Sequence, residues 1–180
     1  MRKEPSAGAR PPRRELLVLR HAKSAWDTDA AHDLARPLAA RGERDVPRLG
    51  AWLASRGIVP DHVVCSPAVR ARQTVELLRQ ALAGDVPAPR ADGRIYEGDL
   101  PHLLEVLAEC PREARRVLLV GHNPGLEILL RFLSPVGEER MRREKLLPTC
   151  ALAHLAMPDD WTHLDGGRAT VLDLVRPKDL

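Results

Sequence analysis

Apolar residues in this chain fall into short unbroken runs, separated by longer stretches in which they recur every three or four positions. The first run, Leu16-Leu17-Val18-Leu19, stops at Arg20-His21 and predicts a buried central strand. A polar segment, Ala22 to Arg41, follows. Gly42 to Gly57 then places Val46, Leu49, Trp52 and Leu53 at helical spacing, with Gly57 as a C-terminal stop and Pro47 as a point where the helix can kink. His62-Val63-Val64-Cys65-Ser66 predicts a second strand. Ser66 and Pro67 are start signals for a helix that runs to about Ala83, with Val69, Val75, Leu78 and Leu82 on one face. Residues 84–93 are rich in Gly, Pro and Asp and predict a loop, and Ile95-Tyr96-Glu97 predicts a short strand. Pro101 to Cys110 predicts a helix with Leu103, Leu104 and Leu107 on its apolar side. Val117-Leu118-Leu119-Val120 predicts a third strong strand ending at Gly121-His122, and Gly125 to Leu133 another helix. Leu152 to Met157 and Thr170 to Val175 predict closing strands, the latter alternating as a sheet edge does. Strand and helix patterns alternate, which implies an α/β fold: a three-layer α/β/α sandwich with a largely parallel central sheet.

Composition narrows the function classes. A length of 180 residues fits one domain plus an appendage, and a hydrophobic fraction of 44% excludes wholesale disorder. No run of 18 apolar residues occurs, and the N-terminus lacks the apolar core of a secretory signal, so no membrane association is expected. Cys65, Cys110 and Cys150 are too few and too scattered for a disulfide framework or a zinc site. The expected compartment is therefore the reducing cytoplasm, with no metal and no cofactor. The net charge of +3 is unevenly placed. Residues 1–14 carry five basic groups and one acid, and the remaining body carries 23 basic and 24 acidic groups. The expected organisation is thus a flexible basic tail over 1–14 and a single domain over 15–180. Because the excess charge lies on that tail and the chain has only five aromatic residues, no nucleic-acid partner is expected. Any nucleic-acid binding would have to run through the tail.

In parallel sheets, ligands bind beyond the carboxyl ends of the strands. The first strand ends in Arg20-His21. The second ends in Ser66, with Arg70 one turn into the next helix. The third ends in Gly121-His122. If these strands are parallel and adjacent, two arginines and two histidines meet in one crevice. Guanidinium groups match phosphate oxygens with planar forks of donors, and a neutral imidazole can attack phosphorus and carry the phosphoryl group. That composition points to phosphoryl transfer.

Leu19-Arg20-His21-Ala22, Ser66-Pro67-Ala68-Val69-Arg70-Ala71-Arg72-Gln73-Thr74 and Val120-Gly121-His122-Asn123 together resemble the histidine phosphatase superfamily, over roughly Glu15 to Val175. The small size is similar to the branch of SixA-type phosphohistidine phosphatases. Ala22, Lys23 and Ala39 depart from the residues common in the superfamily, which are Gly, Glu and Thr. The resemblance implies a phosphoglycerate mutase-like fold and a metal-independent phosphatase. In it, His21 becomes phosphorylated, Arg20 and Arg70 clamp the phosphoryl oxygens, and His122 donates a further hydrogen bond. Arg36 matches an additional phosphate-contacting arginine of the SixA branch, and Glu97 stands in the region where larger members carry their proton donor. The implied partner is a phosphorylated protein, specifically a phosphohistidine, or a small phosphorylated metabolite.

Simpler readings exist for several of these residues. Arg36 can pair with Asp33 or cap a helix, Ser66 is a helix cap rather than a nucleophile, and a solvated loop explains Lys23, Ser24 and Asp27. His32, His62, His102, His154 and His163 read as surface or structural. A cysteine-phosphatase loop on Cys65 would need arginine at position 71, where Ala71 stands. Asp27-Thr28-Asp29 lies too far beyond Leu19 for an aspartate nucleophile, and Gly121 to Gly125 lacks the lysine of a nucleotide-binding loop. A non-catalytic phosphate-recognition module is the alternative from another class. It would need the arginines but not the pair His21 and His122.

Overall fold

The computed structural model describes residues 14–83, 86–134 and 146–180. Six strands form one sheet: β1 (Arg14–Arg20), β2 (His62–Cys65), β3 (Arg90–Ala91), β4 (Arg116–Gly121), β5 (Leu152–Met157) and β6 (Thr170–Val175). Their order across the sheet is β3-β2-β4-β1-β5-β6. β3, β2, β4 and β1 run parallel, while β5 pairs antiparallel with both β1 and β6. The strands expected from continuous apolar runs are the central ones, because a strand covered on both faces has no polar face to alternate with.

Alternate residues of these strands feed two cores. Leu16, Val18, Val64, Val117 and Leu119 pack with α3 (Leu100–Ala108) and α4 (Gly125–Leu133). Leu17, Leu19, Val63, Leu118 and Val120 pack with α1 (Ala40–Ser55) and α2 (Val69–Ala81). The result is the expected three-layer sandwich. α1 runs through Pro47 without a break, and Gly57, just beyond its end, takes a positive φ of 63°. Among the described residues, no helix is long and apolar enough to cross a membrane.

Two expectations change. Ile95-Tyr96-Glu97 is not a strand: Gly93–Ile95 is a turn of 3-10 helix, and the short strand beside β2 is Arg90–Ala91, inside the segment expected to be loop. The side chain of Asp92 causes this, since it accepts a hydrogen bond from the Arg94 N–H at 3.0 Å and turns the chain directly after β3. Arg14, counted above with the basic tail, is buried as the first residue of β1. Its guanidinium donates to the carbonyls of Arg112 and Ala114, and it stands 5.6 Å from the Trp161 ring centre. The rest of that tail, residues 1–13, lies outside the described residues.

Candidate active site

The strand register sets the site. Arg20 pairs with Gly121, and Cys65 with Val120, so β1 and β4 end level and β2 one residue earlier. The next residue of each chain, His21, His122 and Ser66, therefore emerges at one edge of the sheet. The His21 and His122 rings lie 4.9 Å apart, centre to centre. Arg70, in the first turn of α2, reaches between them: its Nε stands 3.4 Å from His21 Nε2, and its Nη2 stands 3.5 Å from His122 Nδ1. Arg20, His21, Arg36, Arg70, Glu97 and His122 all line one pocket of about 250 Å³. A larger hollow of about 790 Å³ beside Cys65, Val69 and Glu76 contains neither histidine and none of these arginines.

His21 is held in one tautomer. Its Nδ1 lies 2.8 Å from the Ala22 carbonyl oxygen, which can only accept, so the proton sits on Nδ1 and Nε2 keeps its lone pair. Ala22 is itself fixed by its N–H, which donates to Thr74 Oγ1, and the Thr74 hydroxyl donates to the Arg70 carbonyl. The motif on α2 thus supports the loop that carries His21 as well as supplying the arginine. His122 has freer protonation, because its Nε2 lies 2.8 Å from Ser66 Oγ and a hydroxyl can donate or accept. Arg70 Nη2 can only donate, so in this structure His122 Nδ1 accepts and the ring proton sits on Nε2, toward Ser66 Oγ; were Ser66 to donate instead, Nδ1 would carry the proton. Ser66 is not the helix cap expected of it: α2 begins at Val69 with Ala68 at its N-cap, and Ser66 Oγ accepts the Ala68 N–H in the turn before the helix while partnering His122.

Both rings are kept neutral. Burial, joined by the charges of Arg70, Arg20 and Arg36, pushes His21 down to about 4 despite the favourable bond to Ala22. Burial together with His21 and Arg70 pushes His122 down to about 3. This has a cost at acid pH. As pH falls below 6.5, the unfolded chain takes up a proton that folded His21 refuses until pH 4, so stability declines through that window. For His21 alone the decline amounts to ~3 kcal/mol when complete. The urea midpoint of the wild type is expected to fall from pH 7 to pH 4, and a His21→Asn variant should lose visibly less over the same range.

The arginines differ in how far the protein already satisfies them. Arg20 donates from Nη1 to the Leu147 carbonyl, but its buried Nε has no hydrogen-bond partner among the described residues. A buried donor without an acceptor is costly. Arg36, by contrast, donates from Nε to the Ala25 carbonyl, from Nη1 to Asp33 and from Nη2 to Ser24 Oγ. Asp33, which the sequence offers only as a partner for Arg36, is also a site residue. Its backbone carbonyl and Oδ2 accept from Arg70 Nη1 and Nη2 at 2.7 and 2.8 Å, and Oδ2 also accepts from the Tyr96 hydroxyl at 2.9 Å. Burial alone would raise its carboxyl, but bonds from Tyr96, Arg70 and Arg36 hold it well below the usual carboxylate range. Asp33 thus locks the outer end of the Arg70 fork and leaves Nε facing His21. The signal that could find it is Asp33 three residues before Arg36, an acid spaced to pair with that arginine.

Glu97 lines the pocket with a left-handed backbone, φ 53°, which a non-glycine residue adopts at some cost. Its loop is packed close: a side chain at Gly125 would collide with the Gly98 carbonyl. Lys23 and Ser24 also line the pocket, and Trp26 stands among them. A side chain at Gly42 would collide with the Lys23 carbonyl, so this glycine lets α1 and the loop after β1 come together. The other histidines are structural or superficial as expected. His154 is buried between Glu15 and Asp173, and His102 and His163 pair with Asp99 and Asp160. The cysteines are buried and unpaired, and burial pushes the thiols of Cys65 and Cys110 up to about 11 and that of Cys150 to about 12. Among the described residues, no group of three or more His, Cys, Asp or Glu is arranged to hold a metal ion.

Comparison with known proteins bears on the family and the fold. The family model of the histidine phosphatase superfamily (branch 1) matches residues 16–100. An uncharacterized protein of Mycobacterium tuberculosis is 34% identical over 166 residues, covering 89% of this chain and all of that one. The solved structure of a candidate phosphohistidine phosphatase SixA from Nakamurella multipartitia is 29% identical with a TM-score of 0.76, covering 91% of this chain and 96% of that one. A second candidate SixA, from Agrobacterium tumefaciens, is 27% identical with the same TM-score, covering 92% and 99%.

Proposed function

The chain belongs to the histidine phosphatase superfamily, and on that premise we propose that it is a metal-independent phosphatase working through a covalent phosphohistidine on His21. Its substrate is a protein phosphohistidine or a small phosphomonoester. The observation that carries this reading is the state of His21, whose Nδ1–H is committed to the Ala22 carbonyl while its unprotonated Nε2 accepts from Arg70 Nε at 3.4 Å.

In the first displacement the Nε2 lone pair forms the P–N bond, and the leaving group departs with the electrons of the bond it breaks. Positive charge arising on the imidazole is eased by the Nδ1–H bond to Ala22. Negative charge spread over the equatorial oxygens meets Arg20 and Arg70, fixed before the reaction begins, and His122, which donates from Nδ1 once Ser66 donates to its Nε2. Glu97 in its acid form would give an alcohol leaving group its proton, whereas a protonated imidazole leaves unaided. In the second displacement water attacks phosphorus, the P–N bond breaks, and its electrons return to Nε2. The proton lost by water goes to Glu97 or to the phosphate.

The test is to mix the protein with an excess of radiolabelled phosphoramidate and quench in alkali. Label that is stable to alkali, labile to acid, mapped to His21 and indifferent to chelator is expected. Turnover strictly dependent on magnesium would overturn the metal-free reading. Stoichiometric phosphate binding with no covalent label would leave only a phosphate-recognition module.

A further inference from the structure

Trp26 is 75% exposed, more than the other exposed large apolar side chains, Leu172 at 49% and Ile128 at 42%. A lone exposed apolar side chain is ordinary. Trp26 is set apart by where it stands and by how it is held. It lines the pocket that contains His21, Arg70 and His122. The residue before it is tied twice: the Ala25 N–H donates to the Pro37 carbonyl at 2.9 Å, and the Ala25 carbonyl accepts from Arg36 Nε at 3.0 Å. The Arg36 guanidinium carbon lies 3.6 Å from the centre of the indole, within cation–π contact. That guanidinium is anchored in turn by Asp33 and Ser24. One face of the indole therefore rests on a fixed cation, while most of its remaining surface is open. A chain with five aromatic residues places one of them at the mouth of its phosphate pocket with a face uncovered.

In-line transfer fixes where the leaving group must be. With His21 attacking from the sheet edge and the phosphoryl oxygens on the guanidinium groups, the departing atom lies opposite Nε2, toward the pocket mouth. We infer that Trp26 is the platform against which the leaving group stacks. The site thereby prefers phosphoryl groups carried on flat unsaturated rings, such as imidazole or phenyl, over those carried on ammonia or aliphatic alcohols. The inference rests on the pocket being the phosphoryl-transfer site. Arg36, on this view, is chiefly a positioning residue that sets the indole plane.

The experiment measures kcat and KM of the wild type, Trp26→Ala and Trp26→Phe on two pairs of substrates that share a bond type and differ in the ring. The pairs are a phosphohistidine peptide against phosphoramidate, and phenyl phosphate against glycerol phosphate. Trp26→Ala should reduce the preference for the ringed member, in kcat/KM, by about tenfold, mainly through KM, and Trp26→Phe should retain most of it. A loss confined to the first pair identifies imidazole as the preferred ring. A ring preference that Trp26→Ala leaves intact overturns the platform, however far the absolute rates move. Wild-type protein that hydrolyses none of the four and binds no orthophosphate overturns the phosphatase reading itself, and the platform with it.

Discussion

Replacing His21 with alanine is expected to lower kcat by at least ~10³-fold on any phosphoryl donor, because a covalent route has no substitute for its nucleophile. Orthophosphate affinity should change little, since Arg20 and Arg70 remain, so the loss falls on kcat rather than on KM. His21 is buried beside Ala22 and Thr74, and its removal leaves a small void at the strand end rather than in either core. The variant should therefore fold, as circular dichroism can verify. Turnover within tenfold of wild type, in a protein shown to be free of contaminating phosphatase, would end the assignment of His21 as nucleophile.

The second large effect belongs to Arg70. Its fork reaches His21, His122 and Asp33 together, with Nε 3.4 Å from one ring, Nη2 3.5 Å from the other, and Nη1 and Nη2 on Asp33. Arg70→Ala should cost about 10²–10³ in kcat, the usual loss for one preorganised transition-state donor. Arg70→Lys should recover only a small part of this, because one ammonium cannot hold the Asp33 lock and face the phosphoryl group in a fixed plane. Steady-state kinetics on both variants distinguishes this from a purely electrostatic role, in which lysine would restore most of the rate.

How much of the site is visible in sequence follows from how each residue reaches it. Arg20, His21 and His122 sit at the ends of apolar runs, and burial on both faces makes those runs unbroken, so strand and terminus are both readable. Arg70 follows from helix geometry once Ser66 marks the end of β2. The site residues on irregular chain are a different case. Asp33 and Trp26 lie in a polar stretch without periodicity, and tertiary partners fix their positions: Arg70 and Tyr96 for Asp33, Arg36 for Trp26. β3 escapes because two exposed residues carry no pattern. Tyr96 is misplaced for a related reason. Its neighbours look apolar enough for a strand, yet the Asp92 side chain turns the backbone first.

The three buried thiols carry a consequence for when this protein can work. An enzyme that attacks phosphorus with sulfur must keep an ionised, accessible thiolate, and peroxide or alkylating agents silence it. Here Cys65, Cys110 and Cys150 stay protonated far above neutral pH and shielded from solvent, and on the proposed route the attacking atom is nitrogen. Dephosphorylation by that proposed route is expected to continue in peroxide that stops a thiol-dependent phosphatase.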